Sequence, residues 1–273
     1  MRIAVTSDLH YDPTGRLTHP SLITALAEDI ASKQPDALIL AGDLAHGRRG
    51  FEDCLSCFSK VCAPLAVIAG NHDIWADEED GLSSQKLWEN VLEVTTSRHG
   101  ALWLEKENLI LGKTGIVGSL AWYDYSAVDP SVATNDEFLE SMKSSLNNDG
   151  NWINWSKSDR SFARELNQAM LLRLQQLSAN PGIRDIVVVT HVPVVEQQIV
   201  RKPQDWRWGL SNAYFGNLTL GHEVLKEPKV RAIISGHTHV GRQVRVVRDK
   251  LSDIDVRVVD SDYGAPGYTM LDL

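Results

Sequence analysis

The chain has 273 residues, 43 % hydrophobic and 23 % charged, a composition that excludes intrinsic disorder, collagen and coiled coil and allows one large or two small globular domains. Its 36 acidic and 27 basic residues give a net charge of −9, a field that repels polyanions and argues against an extended nucleic-acid surface. No apolar run reaches the roughly 18 to 20 residues of a membrane helix, and Met1-Arg2 leads into Ile3–Val5 without the form of a secretory leader, so a cytoplasmic protein that does not span a membrane is expected.

In chain order, Ile3–Thr6 reads as a strand. Pro20-Ser21 opens a helix with Leu22, Leu26 and Ile30 on one face, ending before Pro35. Ala37–Ala41 is a continuous apolar strand, as in a sheet covered on both faces, and Leu65–Ala69 repeats that character after a helix predicted over Phe51–Val61. This is a β-α-β-α-β pattern with parallel strands. Cys54, Cys57 and Cys62 share the second helical stretch with Phe51, Leu55, Phe58 and Val61, which predicts buried free thiols; a zinc site there would have only His46 as a nearby fourth ligand.

The later runs, Ile116–Leu120, Ile186–Thr190, Val230–Ser235, Gln243–Val247 and Val256–Val259, have shorter connections and more alternation, which predicts a second, mixed sheet. Between Asn151 and Pro181, Phe162, Leu166, Ala169, Met170, Leu174 and Leu177 follow a helical period and should pack on a sheet. Asp124–Asn154 is poorer in apolar residues, and Asn147-Asn148-Asp149-Gly150 reads as a turn cluster in an excursion over the surface.

Metal-capable residues follow the apolar runs one after another. The first run ends in Asp8-Leu9-His10, the second in Gly42-Asp43 and the third in Gly70-Asn71-His72-Asp73; later runs end in Thr190-His191 and Ser235-Gly236-His237-Thr238-His239. In α/β sheets ligands gather outside the carboxyl ends of strands, so five strand ends can share one site. Carboxylate, amide and imidazole donors suit Mn²⁺, Fe or Zn²⁺. Alternate residues of an extended segment face one side, which lets Asp8 with His10, and His237 with His239, each offer two ligands to one pocket.

The joint pattern D-x-H, G-D, G-N-H-D, H, G-H-x-H, from Asp8 to His239, resembles the calcineurin-like metallophosphoesterase superfamily. The resemblance implies an α/β fold of two facing mixed β-sheets flanked by helices, a four-layer α-β-β-α sandwich. It also implies two metal ions, with Asp8, His10 and His239 on the first, Asn71, His191 and His237 on the second, and Asp43 bridging. His72 matches the histidine that meets the substrate phosphate and the leaving oxygen, and Asp73 the acid that orients it. Two dications about 3.5 to 4 Å apart clamp the attacking and leaving oxygens of an in-line displacement and acidify a bridging water, whose hydroxide is the expected nucleophile.

Residues 1–273 are expected to form one such domain, with an insertion or cap-like excursion around 122–180 and a loop around 200–222. His46 and Arg48, in the loop after Asp43, are candidates for the substrate rim. Trp122, Trp152, Trp155, Trp206 and Trp208 fall in segments that decorate the site, and Trp206 and Trp208 with Arg207 are candidates for a wall against an apolar part of the ester. The expected activity is hydrolysis of a small phosphodiester or nucleotide; the competing readings are a phosphoprotein or phosphomonoester phosphatase and a non-catalytic protein-binding scaffold on the same fold.

Overall fold

The structure, a computed structural model, describes residues 1–77 and 80–273. Strands β1 (Arg2–Thr6), β2 (Ala37–Ala41), β3 (Leu65–Ile68) and β4 (Leu102–Trp103) are parallel neighbours in that order. A second sheet holds β5 (Leu109–Leu111), β6 (Thr114–Ser119), β7 (Asp185–Thr190), β8 (Val230–Ser235), β9 (Arg242–Val246) and β10 (Ile254–Val258), in the order β5-β6-β7-β8-β10-β9 with antiparallel pairs at both edges. The last strand, β11 (Tyr268–Asp272), returns to pair antiparallel with β1, Val5 facing Thr269, so both sheets are mixed.

Alternation along the strands divides the core into three layers. Ile3 and Val5 of β1, Ile39 and Ala41 of β2 and Ala66 and Ile68 of β3 pack against Ile116, Val187, Val189 and Ile234 of the second sheet. Their neighbours Ala4, Leu38, Leu40 and Val67 face the outside of the first sheet, where helices α1 (Pro20–Ser32) and α2 (Gly47–Cys57) bring Ile23, Ile30, Phe51 and Leu55. On the far side, Val117, Ile186, Val188 and Ile233 are covered by Met170, Leu174 and Leu177 of the helix Asp159–Ala179. Strands buried on both faces must be apolar at every position, which is why β2 reads as an unbroken run.

Some details differ from the sequence expectation. The buried face of α1 is Ile23, Leu26, Ala27 and Ile30, whereas Leu22 is 43 % exposed; the stripe is rotated by one residue because Ile23 completes the i, i+3, i+4, i+7 set. Helix α2 stops at Cys57 rather than Val61. Of the three free cysteines only Cys54 is buried; Cys57 is half-buried and Cys62 exposed, since Cys62 lies beyond the helix that was to bury it. Among the described residues no helix is long and apolar enough to cross a membrane.

Candidate metal centre

The carboxyl ends of β1, β2, β3, β7 and β8 release the chain at one place, and each hands over residues of the expected set. Asp8, His10, Asp43, His237 and His239 all have left-handed backbone, with φ of 54, 45, 54, 70 and 54°. Such residues are strained by roughly 1–2 kcal/mol and persist where surrounding bonds over-determine them. Here Asp8 and His10 donate their N–H groups to the Gly42 and Asp43 carbonyls at 3.0 Å each, and the Asp8 carboxylate accepts from His237 N at 2.9 and 3.0 Å. Gly42 has φ +88°, and a Cβ on Gly70 would lie 2.1 Å from Asp43 Oδ1, so a side chain at Gly70 would displace that carboxylate.

The side chains fall into overlapping groups. Asp8, His10 and His239 form one, Asp43, His191 and His237 another, and His10, Asp43 and His72 lie between them, the candidate donor atoms of each group being within 4.8 Å of one another. Asp43 sits centrally, with Oδ2 3.8 Å from His10 Nε2 and 3.9 Å from His72 Nε2, and Oδ1 3.4 Å from His191 Nε2. His10 Nε2 and His239 Nε2 are 3.2 Å apart.

Hydrogen bonds behind the rings decide what they present inward. His191 Nδ1 lies 2.9 Å from the Ala41 carbonyl and His237 Nε2 2.9 Å from the Tyr214 carbonyl; a carbonyl only accepts, so those nitrogens carry the protons. In the neutral rings His191 Nε2 and His237 Nδ1 are therefore bare lone pairs, and both point at Asn71 Oδ1 from 3.0 Å. The Asn71 amide is oriented by donation from its nitrogen to Asp149 Oδ1 at 2.9 Å. With both rings in that neutral form three acceptors converge with no donor between them, an arrangement that a cation satisfies in place of a proton. His239 Nδ1 lies 2.8 Å from Asp262 Oδ1, the outer partner that fixes a metal-binding ring. These donors fit divalent transition-metal ions.

Charge leads to the same place. Asp8 and Asp43 are buried, and among the described residues their only ion-pair partners are histidines. Burial is the largest influence on each ring: it presses His10 and His237 below the ordinary histidine range and takes His72 to about 3 against the pull of Asp43. Burial also opposes charge on His191, but Asp43 and Asp8 outweigh it and hold that ring at about 10, so that without a cation Nε2 carries a proton, at the place where a metal ion would take over the pull of Asp43.

Asp73 departs from its expected role. It makes no hydrogen bond to the His72 ring; its carboxylate accepts from Leu44 N, Ala45 N and Gly70 N at 2.9, 3.1 and 2.7 Å. It braces the loops that carry Asp43 and Asn71 because its side chain turns into the backbone N–H groups behind them. Burial and then Asp43 raise its pKa to about 7.

The outer candidates separate. His46 lies edge-on to Trp75 and Trp152, with ring centroids 5.4 and 5.1 Å away, and Trp75 stacks on His72 at 3.7 Å. Arg48 is engaged by Asp80 and Glu52 at 3.0 and 3.3 Å. Trp206 is 65 % exposed, beside Asp129 and Lys202, and Arg207 donates to the Ser145 carbonyl at 3.1 Å; both contact the outer segments and not the histidine cluster. Trp208 donates to the Val200 carbonyl and packs on the Phe215 ring, which in turn lies against His237. Trp122 is fully buried and bonded to Asp159.

Sequence reasoning missed Asp149, Asp262 and Trp75. Asp149 is fully buried and also accepts from Trp75 Nε1 at 2.6 Å and Tyr123 Oη at 2.9 Å. One carboxylate thus holds both Asn71 and the ring stacked on His72. Trp75, three residues after His72, was open to a local reading; Asp149 and Asp262 carried no sequence signal.

A family model described as calcineurin-like phosphoesterase matches residues 1–241. Among solved structures, phosphopantetheinyl hydrolase from Mycobacterium tuberculosis is 20 % identical, covers 96 % of this chain and 89 % of its own, and superposes with a TM-score of 0.73. A dimetal phosphatase from Danio rerio is 12 % identical over 99 % of this chain and 91 % of its own, with a TM-score of 0.57. At these identities the likeness is one of fold. No curated protein matches the chain in sequence.

Proposed function

The chain belongs to the calcineurin-like phosphoesterase family and is a metal-dependent phosphoric ester hydrolase, and from that premise we propose that it cleaves a small phosphodiester or nucleotide ester at the histidine–aspartate cluster. Asp8, His10 and His239 would hold one divalent ion, Asn71, His191 and His237 a second, and Asp43 both. Manganese, iron or zinc ions supply Lewis-acid charge and an acidified water when bound. His72 lies beside Asp43, and among the described residues no hydrogen bond holds its ring from behind, which leaves it to donate Nε2–H to the phosphoryl and leaving oxygens. Asp73 acts through the backbone, keeping Asp43 and Asn71 in place. In the overall hydrolysis a water oxygen joins phosphorus, the bond to the leaving alcohol breaks, and the alcohol departs with a proton.

The observation that carries the diester preference is the state of the flanking cations. Arg48 and Arg49 are held by Asp80, and Arg201 by Glu196. A phosphomonoester dianion gains most from a free guanidinium fork, whereas a diester monoanion needs less. The same surroundings and the net charge of −9 disfavour a polyanionic nucleic acid. Residues 1–273 would act as one catalytic domain that carries a cap-like excursion around 122–180 and a loop around 200–222, and three free cysteines accord with a cytoplasmic location. A panel of chromogenic mono- and diesters, assayed after loading with Mn²⁺, Fe or Zn²⁺, tests the reading. Faster turnover of diesters is expected, and exclusive turnover of monoesters would overturn it.

A further inference from the structure

A cavity of about 610 Å³ is lined by Tyr11, Leu17, His46, Arg49, Ala76 and Trp152, outside the histidine–aspartate cluster itself. That volume lies within the roughly 300–1,000 Å³ of small-molecule sites. Its link to the chemistry is a run of rings. His72 stacks on Trp75 at 3.7 Å and 23°, Trp75 lies 5.8 Å from Trp152 at 13°, and His46 stands edge-on to both. The shelf is fixed in place: Trp75 is held through its indole N–H by Asp149 at 2.6 Å, and Ala76 N donates to the Trp152 carbonyl at 2.9 Å. Trp152 nevertheless keeps 39 % of its surface exposed, a large aromatic ring on a rigid support.

The charges around this cavity are one-sided. Among the described residues Asp12, Asp53, Asp77 and Asp80 line it against Arg49, which is already paired with Asp80 at 2.8 Å. An anionic group entering here meets carboxylates, whereas an uncharged flat ring meets aromatic faces.

We propose that this cavity is the subsite for the leaving alcohol of the ester, and that it accepts an uncharged planar ring of nucleoside size while rejecting one that bears a further anionic group. The shelf begins at His72, the residue assigned to the leaving oxygen, and this places the ring on the leaving side of phosphorus. The inference rests on the phosphodiester reading of the metal centre and adds the chemical class of the group that departs.

The metal-loaded protein is given methyl adenosyl phosphate and the products are identified. Release of adenosine and methyl phosphate is expected; release of methanol and adenosine monophosphate would put the ring on the retained side and overturn the assignment. Methyl naphthyl phosphate should exceed the same ester carrying a sulfonate on the far ring by about tenfold in kcat/KM, since like charges oppose entry; equal rates would remove the charge argument. Trp152→Ala should raise KM for methyl adenosyl phosphate roughly 5- to 150-fold, the range for loss of a stacking partner, with Trp152→Phe recovering most of it; an unchanged KM would empty the cavity of its role. If no diester turns over, the phosphodiester reading fails, and calorimetric titration with adenosine still decides the cavity: binding weakened in Trp152→Ala supports it, and no binding to the wild type overturns it.

Discussion

Asp149 offers a sharp test of how the outer segment supports the proposed metal site. Asp149→Ala removes the acceptor of three donors, Asn71 Nδ2, Trp75 Nε1 and Tyr123 Oη, in a place that water does not reach. Each donor left unsatisfied costs about 1–3 kcal/mol, so the expected destabilisation is roughly 3–9 kcal/mol. Asp149→Asn is milder. With its oxygen toward Asn71 and Trp75 it keeps two bonds and loses mainly their charge assistance, about 1 kcal/mol each, and a chain of this size should melt a few degrees lower. The metal site is affected for a separate reason. Without Asp149 the Asn71 amide can turn its NH₂ toward the bare nitrogen His237 Nδ1, 3.0 Å from its oxygen, and gain a hydrogen bond that competes with a cation. The expected loss in metal affinity is about 10- to 100-fold, the range for outer partners of metal ligands. Tyr123→Phe removes the third bond without touching Asn71 and should leave affinity unchanged. Chelator competition together with thermal melting measures both effects. A folded Asp149→Ala protein with wild-type affinity, or an equal affinity loss in Tyr123→Phe, would refute the reasoning.

Further predictions follow from single residues. His72→Ala should keep both metal ions yet lose roughly 10²- to 10⁴-fold in turnover of an ester with a poor leaving group, and less with p-nitrophenolate; equal losses would shift its role to phosphate binding. Gly70→Ala should reduce metal content, because its Cβ would meet Asp43 Oδ1 at 2.1 Å; full metal content would refute this. Glu105, buried at the carboxyl ends of β3 and β6 and accepting from Ala69 N at 3.3 Å and Leu120 N at 2.6 Å, has its pKa raised to about 7 by burial against the pull of Arg173. The folded state therefore binds this proton more tightly than the unfolded state, so its contribution is full below about pH 4.5 and fades as pH rises through 7, by at most ~3 kcal/mol. Glu105→Gln should flatten that decline in melting curves taken between pH 5 and 8, and an unaltered slope would contradict it.

The metal-bearing frame was legible because it lies in local sequence. Unbroken apolar runs mark strands covered on both faces, and the residues that follow them, from Asp8 to His239, mark where those strands end. Strands β4, β5 and β11 were not legible: two or three residues cannot display alternation, and Tyr268–Asp272 owes its strand to pairing with β1. Asp149 was hidden for a physical reason. Three polar residues and a glycine in a row read as a solvated turn, since burying a carboxylate is costly without partners, and its partners come from Asn71, Trp75 and Tyr123, distant in the chain. The tryptophan shelf was sought at Trp206 and Trp208 on nearness in sequence to His191; the ring beside His72 is Trp75, and of the five tryptophans singled out only Trp152 joins it.

The central claim is that seven side chains hold two divalent ions through one shared carboxylate. Titration of the metal-free protein with Mn²⁺, with bound metal counted by elemental analysis, tests it most directly. Two ions per chain are expected in the wild type, and Asp43→Asn should weaken both together. Saturation at one ion or none, or an Asp43→Asn protein that binds two ions as tightly as the wild type, would contradict it.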